Sequence, residues 1–486
     1  SLLAGLPGAP TKFSPLTNTV AAKERQVLVL DRMTQEGFVS SEKAQEAKIQ
    51  ELKFIGQKGP IKAPHFVMYI KQLLAEKYGE QYIEQGGLTV TTSLDLDLQE
   101  KAEKIVSDEV ASLARLRVGN GGVIVTAPAT GEILVMIGSR NYFDTDHGGN
   151  FNVTTAQRQP GSSIKPINYS YALSHGYTPA SIIDDSPVTY DINGSAPYTP
   201  RNYDGVFRGR ITLRTALGSS LNVPAVKVLA SYGVGKMIEQ GKLMGITTWN
   251  NPNRFGLSLT LGGGEVKMVD MAVVYGTLAN YGKKVPLNPI LKVVDSDGNV
   301  LEENNCSDNS IPLITYHPSL ISVIHAEVAP QDACNDQVID PRIAFLITDI
   351  LHDNDARSPA FGLNSLLEIP EHPEVAVKTG TTQNLRDNWA IGYTKDYLVA
   401  TWVGNNDNTP MSRIASGVTG ASPIWHKIMK TTLGDTPSYT WEVPPGVNSF
   451  PTCGRTEWFI SENHPAIQCP SPPPEATTSA STTESN

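Results

Sequence analysis

The chain has 486 residues, more than one compact core holds, and a spacing of about 150 residues per domain implies two to four domains. With 40% hydrophobic and 18% charged residues, most of it buries a core and is not intrinsically disordered. A net charge of -10, from 39 basic against 49 acidic residues, argues against a general nucleic-acid binder, and no apolar run approaches the ~18 residues of a membrane span.

The chain opens SLLAGLPGAP, with neither an initiator Met nor a basic n-region, so the expectation is that the front of a longer protein is missing. Residues 21–47 read as helices. Val27, Leu28, Leu30 and Met33 form one stripe, Gly37 breaks it, and Ser40 or Ser41 caps a restart. The segment HFVMYIKQLLAEKYG predicts an amphipathic helix ended by Gly79, and GLTVTTSLD alternates like a strand. DLDLQEKAEKIVSDEVASLA is helical again, with Leu98, Ala102, Ile105 and Val106 inward.

At residue 121 the texture changes. GGVIVTAPATGEILVMIGS predicts a hairpin turning at 128–131. A mostly helical stretch follows from about 162 to 282. Strands return at 375–377, 388–393 and 397–404, and the last helix spans roughly 422–433. This order predicts an α+β fold: an antiparallel sheet with flanking helices plus an all-helical subdomain. From Pro444 the chain is Pro-rich and ends in polar TTSASTTESN, which is expected to be a disordered tail. Four cysteines form two local couples, Cys306 with Cys334 and Cys453 with Cys469, which fits two loop-stapling disulfides in an oxidising compartment.

Three segments carry chemistry. In RQPGSSIKPINYSYAL a turn at Pro160 and Gly161 precedes a helical pattern, so Ser162 stands at a helix N-terminus and Lys165 lies on the same face, one turn on. A lysine serves as a base only when its pKa falls, and burial and a second cation both lower it. S-x-x-K alone is weak: Ser40 and Lys43 repeat it in a charged surface helix, and Ser162 could equally be an ordinary helix cap. In ITLRTALGSSLNVPAVKVLASYG two helices meet around Ser220 and Asn222, with Pro224 in the first turn of the second and Gly233 at its end. A hydroxyl there relays a proton and an amide holds a lysine or a carbonyl, or else Asn222 simply caps the helix. Two other S-x-N triplets, at 307–309 and 461–463, read as chance occurrences in polar loops. In VAVKTGTTQNLRDNWAIGY, Lys378, Thr379, Gly380 and Thr381 continue a strand; the glycine lets a ligand lie against the backbone, and the cation and hydroxyls suit a carboxylate. The bland alternative is an exposed lysine on a sheet edge.

The order S-x-x-K, S-x-N, K-T-G is the signature of penicillin-binding proteins and class A β-lactamases, and S-L-N in the middle points to the former. The match extends further. SLLAGLPGAPTKFSPL and AAKERQVLVLDRM resemble the end of a peptidoglycan glycosyltransferase domain. FRGRITLRTALGSSLNVPAVKV, GGGEVKMVDMAVVYGTLANYG and VKTGTTQNLRDNWAIGY resemble a transpeptidase domain. The chain thus resembles a class A (bifunctional) penicillin-binding protein over roughly residues 1–435. The resemblance implies a glycosyltransferase remnant at 1–52, a linker at 53–118, a transpeptidase domain at 119–435 and a Pro/Ser/Thr-rich tail at 436–486. The glycosyltransferase's E-D-x-x-F-type segment is absent, so the chain is expected to lack polymerase activity that its intact parent carries.

By that resemblance Ser162 is the nucleophile attacking a D-alanyl-D-alanine stem peptide and Lys165 the general base. Ser220 passes a proton to the leaving D-alanine, Asn222 orients Lys165 and the substrate amide, and Lys378, Thr379, Gly380 and Thr381 hold the terminal carboxylate. The backbone N–H groups of Ser162 and Thr381 form the oxyanion hole. The implied partners are stem peptides, β-lactams that trap Ser162, and cell-wall synthesis proteins, on the extracytoplasmic face of a bacterial membrane reached only through a missing N-terminal segment. Neither metal nor cofactor is implied: there is no H-E-x-x-H, and the run Asp144, Thr145, Asp146, His147 reads as a loop. Three alternatives stand beside this: a D,D-carboxypeptidase, a serine β-lactamase or sensor on the same fold, and a non-catalytic cell-wall scaffold. A class A β-lactamase requires E-x-x-L-N, and the residues three before each Leu-Asn leucine are Gly218, Lys284 and Ala360.

Overall fold

The computed structural model describes residues 1–9, 12–15, 18–50, 61–85, 87–191, 196–303, 336–412, 419–463 and 469. Cys306, Cys334 and the 307–309 triplet lie outside the described residues. Two compact units result, Ser1–Lys62 and Ala63–Asn486. In the first, helices Thr19–Gln35 and Ser41–Ile49 are capped by the side chains of Asn18 and Ser40, which accept from the Ala21 and Lys43 N–H groups. The buried stripe of the longer helix is Ala22, Gln26 and Leu30, at four-residue spacing. Leu28, expected inside, is exposed because it sits about 200° of helical turn from Leu30. The Ser40/Lys43 pair is a cap and no more, with Lys43 N–H on Ser40 Oγ at 3.4 Å.

The second unit is built on a five-stranded antiparallel sheet. Its strands are β1 (Asn120–Ala127), β2 (Glu132–Ile137), β3 (Ala376–Thr381), β4 (Asp387–Tyr393) and β5 (Leu398–Gly404), in the order β3-β4-β5-β1-β2. Both faces are covered, so the strands are dense in apolar residues that alternate between two cores. Ile124, Ala376, Trp389, Ile391, Ala400 and Trp402 enter one core; Val123, Val125, Val377, Ala390, Val399 and Val403 enter the other. The second core is closed by α1 (Leu96–Ser112) and by a C-terminal helix, Ala421–Leu433. The first is closed by α2 (Lys165–Ser174), α3 (Leu213–Gly218), α4 (Asn222–Tyr232), α5 (Met268–Ala279) and α6 (Pro341–His352), with α7 (Asn354–Phe361) following. Lys378 shares the parity of Ala376, so its side chain faces the layer that contains α2.

Three features depart from the sequence reading. Thr89–Thr92 pairs with Ile290–Val294, itself paired with Val300–Glu303, and these last two strands have too little alternation to be read in advance. Phe66, Ile70 and Leu74, placed in a linker by resemblance, belong to the first core, and the compact unit begins at Ala63. Residues 436–486, expected to be a tail, contain a hairpin of strands Val447–Thr452 and Arg455–Ile460, while Cys453 is bonded to Cys469 as the local pairing predicts. The hairpin is anchored by an ionic cluster that no local pattern announces. Arg214 of α3 donates from Nε to Glu457 at 2.7 Å and from Nη1 to Asp353 at 3.1 Å, and Nη2 bonds Asp349 and Glu457. Arg455 reaches Asp353 at 2.8 Å. Against the upward push of burial, His352 and Arg214 hold the Asp349 carboxyl below its ordinary range.

Removing the guanidinium leaves buried Glu457 and Asp349 without their main counter-charge, which costs about 3–5 kcal/mol. Arg214→Met is therefore expected to lower the unfolding free energy by that amount, read from the denaturant midpoint and slope in equilibrium unfolding at pH 7. A change under about 0.5 kcal/mol would mean that the hairpin is not held this way.

Candidate active site

The nucleophile candidate sits on a 3-10 turn, Gly161–Ile164, that runs directly into α2. Pro166 is tolerated because it lies in the first turn of that helix, where no intrahelical acceptor is lost. Two glycines let this turn press on β3. A Cβ at Gly380 would stand 2.1 Å from Pro160 O, and one at Gly161 would stand 2.6 Å from Thr381 N. Gly161 also has φ +56, a left-handed conformation that other residues resist. The turn is fastened from behind, where the Tyr275 hydroxyl donates to Ser163 O at 2.6 Å and Trp389 Nε1 donates to Gln159 O at 2.9 Å.

Lys165, the first residue of α2, is fully buried. Its ammonium donates to Ser220 O at 2.7 Å, Leu221 O at 2.9 Å and Asn222 Oδ1 at 2.8 Å. Three acceptors use all three ammonium protons, so the amine takes a proton from Ser162 only after one of these bonds is released. Burial, and then the nearby Lys378 charge, hold its pKa well below the ordinary lysine value. Lys378 donates to Ser220 Oγ at 2.6 Å and to Thr379 O at 3.0 Å. Burial, with the Arg357 charge behind it, brings its pKa down to about 7. Ser220 therefore lies between the two ammonium groups, its carbonyl on one and its hydroxyl on the other. It holds φ 57, a left-handed conformation that is uncommon outside glycine and is retained only where the surroundings enforce it.

Asn222 is not the helix cap that the sequence left open. Its own N–H, and that of Val223, donate to Asn202 Oδ1 at 2.9 and 3.1 Å. Asn202 in turn donates to both Asp185 oxygens and to Val206 O. With the helix start satisfied from outside, the Asn222 side chain is free to place its oxygen on Lys165 and its Nδ2 on Arg201 O at 3.0 Å. Ser162, Ser220, Asn222 and Thr381 are partly exposed, while Lys165, Lys378, Thr379 and Gly380 are buried behind them. Hydroxyls thus border the open side and cations lie beneath.

The structure thus brings the predicted residues of all three segments to one place. The other S-x-N triplet that is described, at 461–463, fastens the C-terminal hairpin: Ser461 Oγ donates to Gly446 O and Asn463 Nδ2 to Tyr177 O. Two contributors escaped the sequence reading. Asn202 lies in a loop with no motif. Arg357 is 3% exposed, donates to Leu351 O, and sits on a segment bonded to the Ser220 loop, because Ser219 Oγ donates to Ala356 O at 2.9 Å. Among the described residues no group of three or more His, Cys, Asp or Glu side chains is placed to hold a metal ion.

Residues 121–430 match the family model "Penicillin binding protein transpeptidase domain". Penicillin-binding protein 2D of Bacillus subtilis (strain 168) is 29% identical over 492 residues, covering 96% of this chain and 66% of that protein. Penicillin-binding protein 1B of Vibrio cholerae is 29% identical over 464 residues, covering 94% of this chain and 54% of that protein. The chain therefore spans between about half and two thirds of the length of these relatives. Its fold is that of Penicillin-Binding Protein 1A from Haemophilus influenzae, with TM-score 0.78 at 22% identity over 96% of this chain and 86% of that one. The PonA1 protein from Mycobacterium tuberculosis, solved in complex with penicillin V, aligns with TM-score 0.62 at 23% identity over 79% of this chain and 96% of that one. The chain belongs to the penicillin-binding protein transpeptidase domain family.

Proposed function

We propose that the chain is a serine acyltransferase that cross-links peptidoglycan stem peptides at D-alanyl-D-alanine and is trapped by β-lactams. The observation that carries this reading is the meeting of three remote segments on one buried pair of lysines, with Ser220 bonded to both. Family membership and the penicillin V complex of PonA1 support it.

In this reading Ser162 Oγ attacks the penultimate D-alanine carbonyl carbon and its proton passes to neutral Lys165. The backbone N–H groups of Ser162 and Thr381 face the oxyanion, a term worth about 3–4 kcal/mol per donor. The C–N bond breaks as Ser220 gives its proton to the departing amine and is resupplied from Lys378, to which it is hydrogen-bonded. Lys378, Thr379, Gly380 and Thr381 line the carboxylate subsite. Asn222 holds Lys165 and the substrate amide. An amine of a second stem peptide then takes the acyl group and Ser162 regains its proton. Neither metal nor cofactor enters any of these steps. The longer parent also carries a glycosyltransferase, the chain works on the extracytoplasmic face of a bacterial membrane, and other cell-wall synthesis proteins are its partners. No helix among the described residues is long and apolar enough to cross a membrane.

Two outcomes are expected. Labelled penicillin forms a persistent adduct at Ser162, seen as a mass increase of the intact protein, and Ser162→Ala forms none. An undiminished adduct in that variant refutes the assignment, and rapid drug hydrolysis favours a β-lactamase. The acylation rate follows a bell in pH. It rises while Lys165 loses its proton, because the base must be neutral. It falls above about 7 as Lys378 becomes neutral and stops attracting the carboxylate. A rate that climbs without a break to pH 10 would contradict these roles.

A further inference from the structure

The left-handed conformation of Ser220 persists only where its surroundings enforce it, and the restraints run outward from the site. Ser220 closes α3: its N–H donates to Leu217 O at 3.1 Å, and the Leu221 N–H donates to Ala216 O at 3.0 Å. A movement of that short helix therefore passes directly to Ser220. One residue earlier the loop is tied to α7. Ser219, 3% exposed, donates from Oγ to Ala356 O at 2.9 Å. A Cβ on Gly218 would stand 2.7 Å from Ala356 Cβ and 2.8 Å from its carbonyl oxygen, so only glycine lets α3 and α7 approach this closely.

Both helices lead to the C-terminal hairpin. Arg214 is the second residue of α3. Asp353 is the cap of α7, where its Oδ1 accepts from the Ala356 N–H at 3.0 Å. Asp353 Oδ2 accepts from Arg214 Nη1 at 3.1 Å and stands 2.8 Å from Arg455 Nη2. One carboxylate thus caps α7 at the residue that holds Ser219, and joins α3 to the hairpin. Glu457, 2% exposed, accepts from Arg214 Nε at 2.7 Å and also bonds Nη2, a two-point grip that fixes the plane of the guanidinium. The bonds close a ring. It runs from the hairpin through Arg214 and α3 to Ser219, and returns through Ala356, α7 and Asp353. A closed ring restrains the Ser220 loop from both sides, whereas an ion pair at the hairpin alone would restrain only the hairpin.

We propose, on the acyl-transfer reading above, that Arg214, Asp353 and Glu457 are positioning residues of the active site and that the C-terminal hairpin belongs to its scaffold. None of the three touches substrate. They act by keeping the Ser220 carbonyl on Lys165 and its hydroxyl on Lys378. When the ring opens, Ser220 relaxes toward an ordinary backbone conformation and its bonds to the two lysines weaken. The chemical step slows, while initial binding, made to Lys378 through Thr381 of β3, is retained.

The test measures acylation of the full chain by labelled penicillin, as labels per folded chain, maximal rate and half-saturating concentration. Glu457→Gln keeps the shape of the side chain and removes its charge. It is expected to keep full labelling and a half-saturating concentration within about twofold of wild type, while its maximal rate falls at least about tenfold. Ser219→Ala removes only the bond to Ala356 and is expected to do the same. The double variant is expected to lose no more than about threefold beyond either single one, because both open one ring. Arg455→Gln, at a side chain 41% exposed, keeps the test decisive if Glu457→Gln does not fold, and is expected to lose at least about threefold in rate. Glu462→Gln removes an exposed ion pair with Arg342 and is expected to stay within about twofold of wild type. Unchanged rates in Glu457→Gln, Ser219→Ala and Arg455→Gln overturn the positioning role and leave the acyl-transfer reading in place. So do fewer labels per chain at an unchanged rate, or losses that multiply in the double variant. Absence of acylation in the wild-type chain overturns that reading and the positioning role with it.

Discussion

One serine between two buried ammonium groups is the constraint on which the site depends. Ser220 binds Lys165 through its carbonyl and Lys378 through its hydroxyl, and it does so in a backbone conformation that costs about 1–3 kcal/mol. Burial makes both lysines easier to deprotonate, and the Lys378 charge adds to the effect on Lys165 while the Arg357 charge adds to that on Lys378. The arrangement is costly for stability and useful for chemistry. In the proposed reading it places an amine held well below the ordinary lysine range beside a hydroxyl that can carry a proton.

The fold meets that cost with rigidity on every side. β3 delivers Lys378 by strand parity, and the 3-10 turn delivers Ser162 one helical turn before Lys165. Close approach of Gly380 to Pro160 O makes strand and turn behave as one surface. Asn202 takes over the capping duty that Asn222 would otherwise have, so that Asn222 serves the lysine. Arg357 adds a third cation beneath, reached through α7 and its bond to the Ser219 hydroxyl.

Local chemistry made most of this legible in advance, and non-local chemistry hid the rest. The strands of the main sheet could be read because residues buried on both faces give dense runs of Val, Ile and Ala, and the turns at Gly161 and Gly233 carry their own punctuation. Ser162, Lys165, Ser220, Asn222 and Lys378 were legible as short motifs, but only their order along the chain separated them from the surface pair Ser40 and Lys43. Asn202 and Arg357 could not be found, since each acts through a partner 20 or more residues away and sits in no pattern. The C-terminal hairpin was hidden for a similar reason. Its proline content reads as a tail, while its anchor, Glu457, is matched by Arg214 from the middle of the chain.

The most direct test of the central claim is a pH titration of the two lysine side chains by ¹⁵N NMR with labelled Nζ atoms, each assigned by its Lys→Arg variant. The account predicts that Lys378 titrates near 7 and that Lys165 titrates well below an ordinary lysine. If both remain ammonium groups up to about 10.4, the value of a solvated lysine, the paired cations do not generate the base and the account fails.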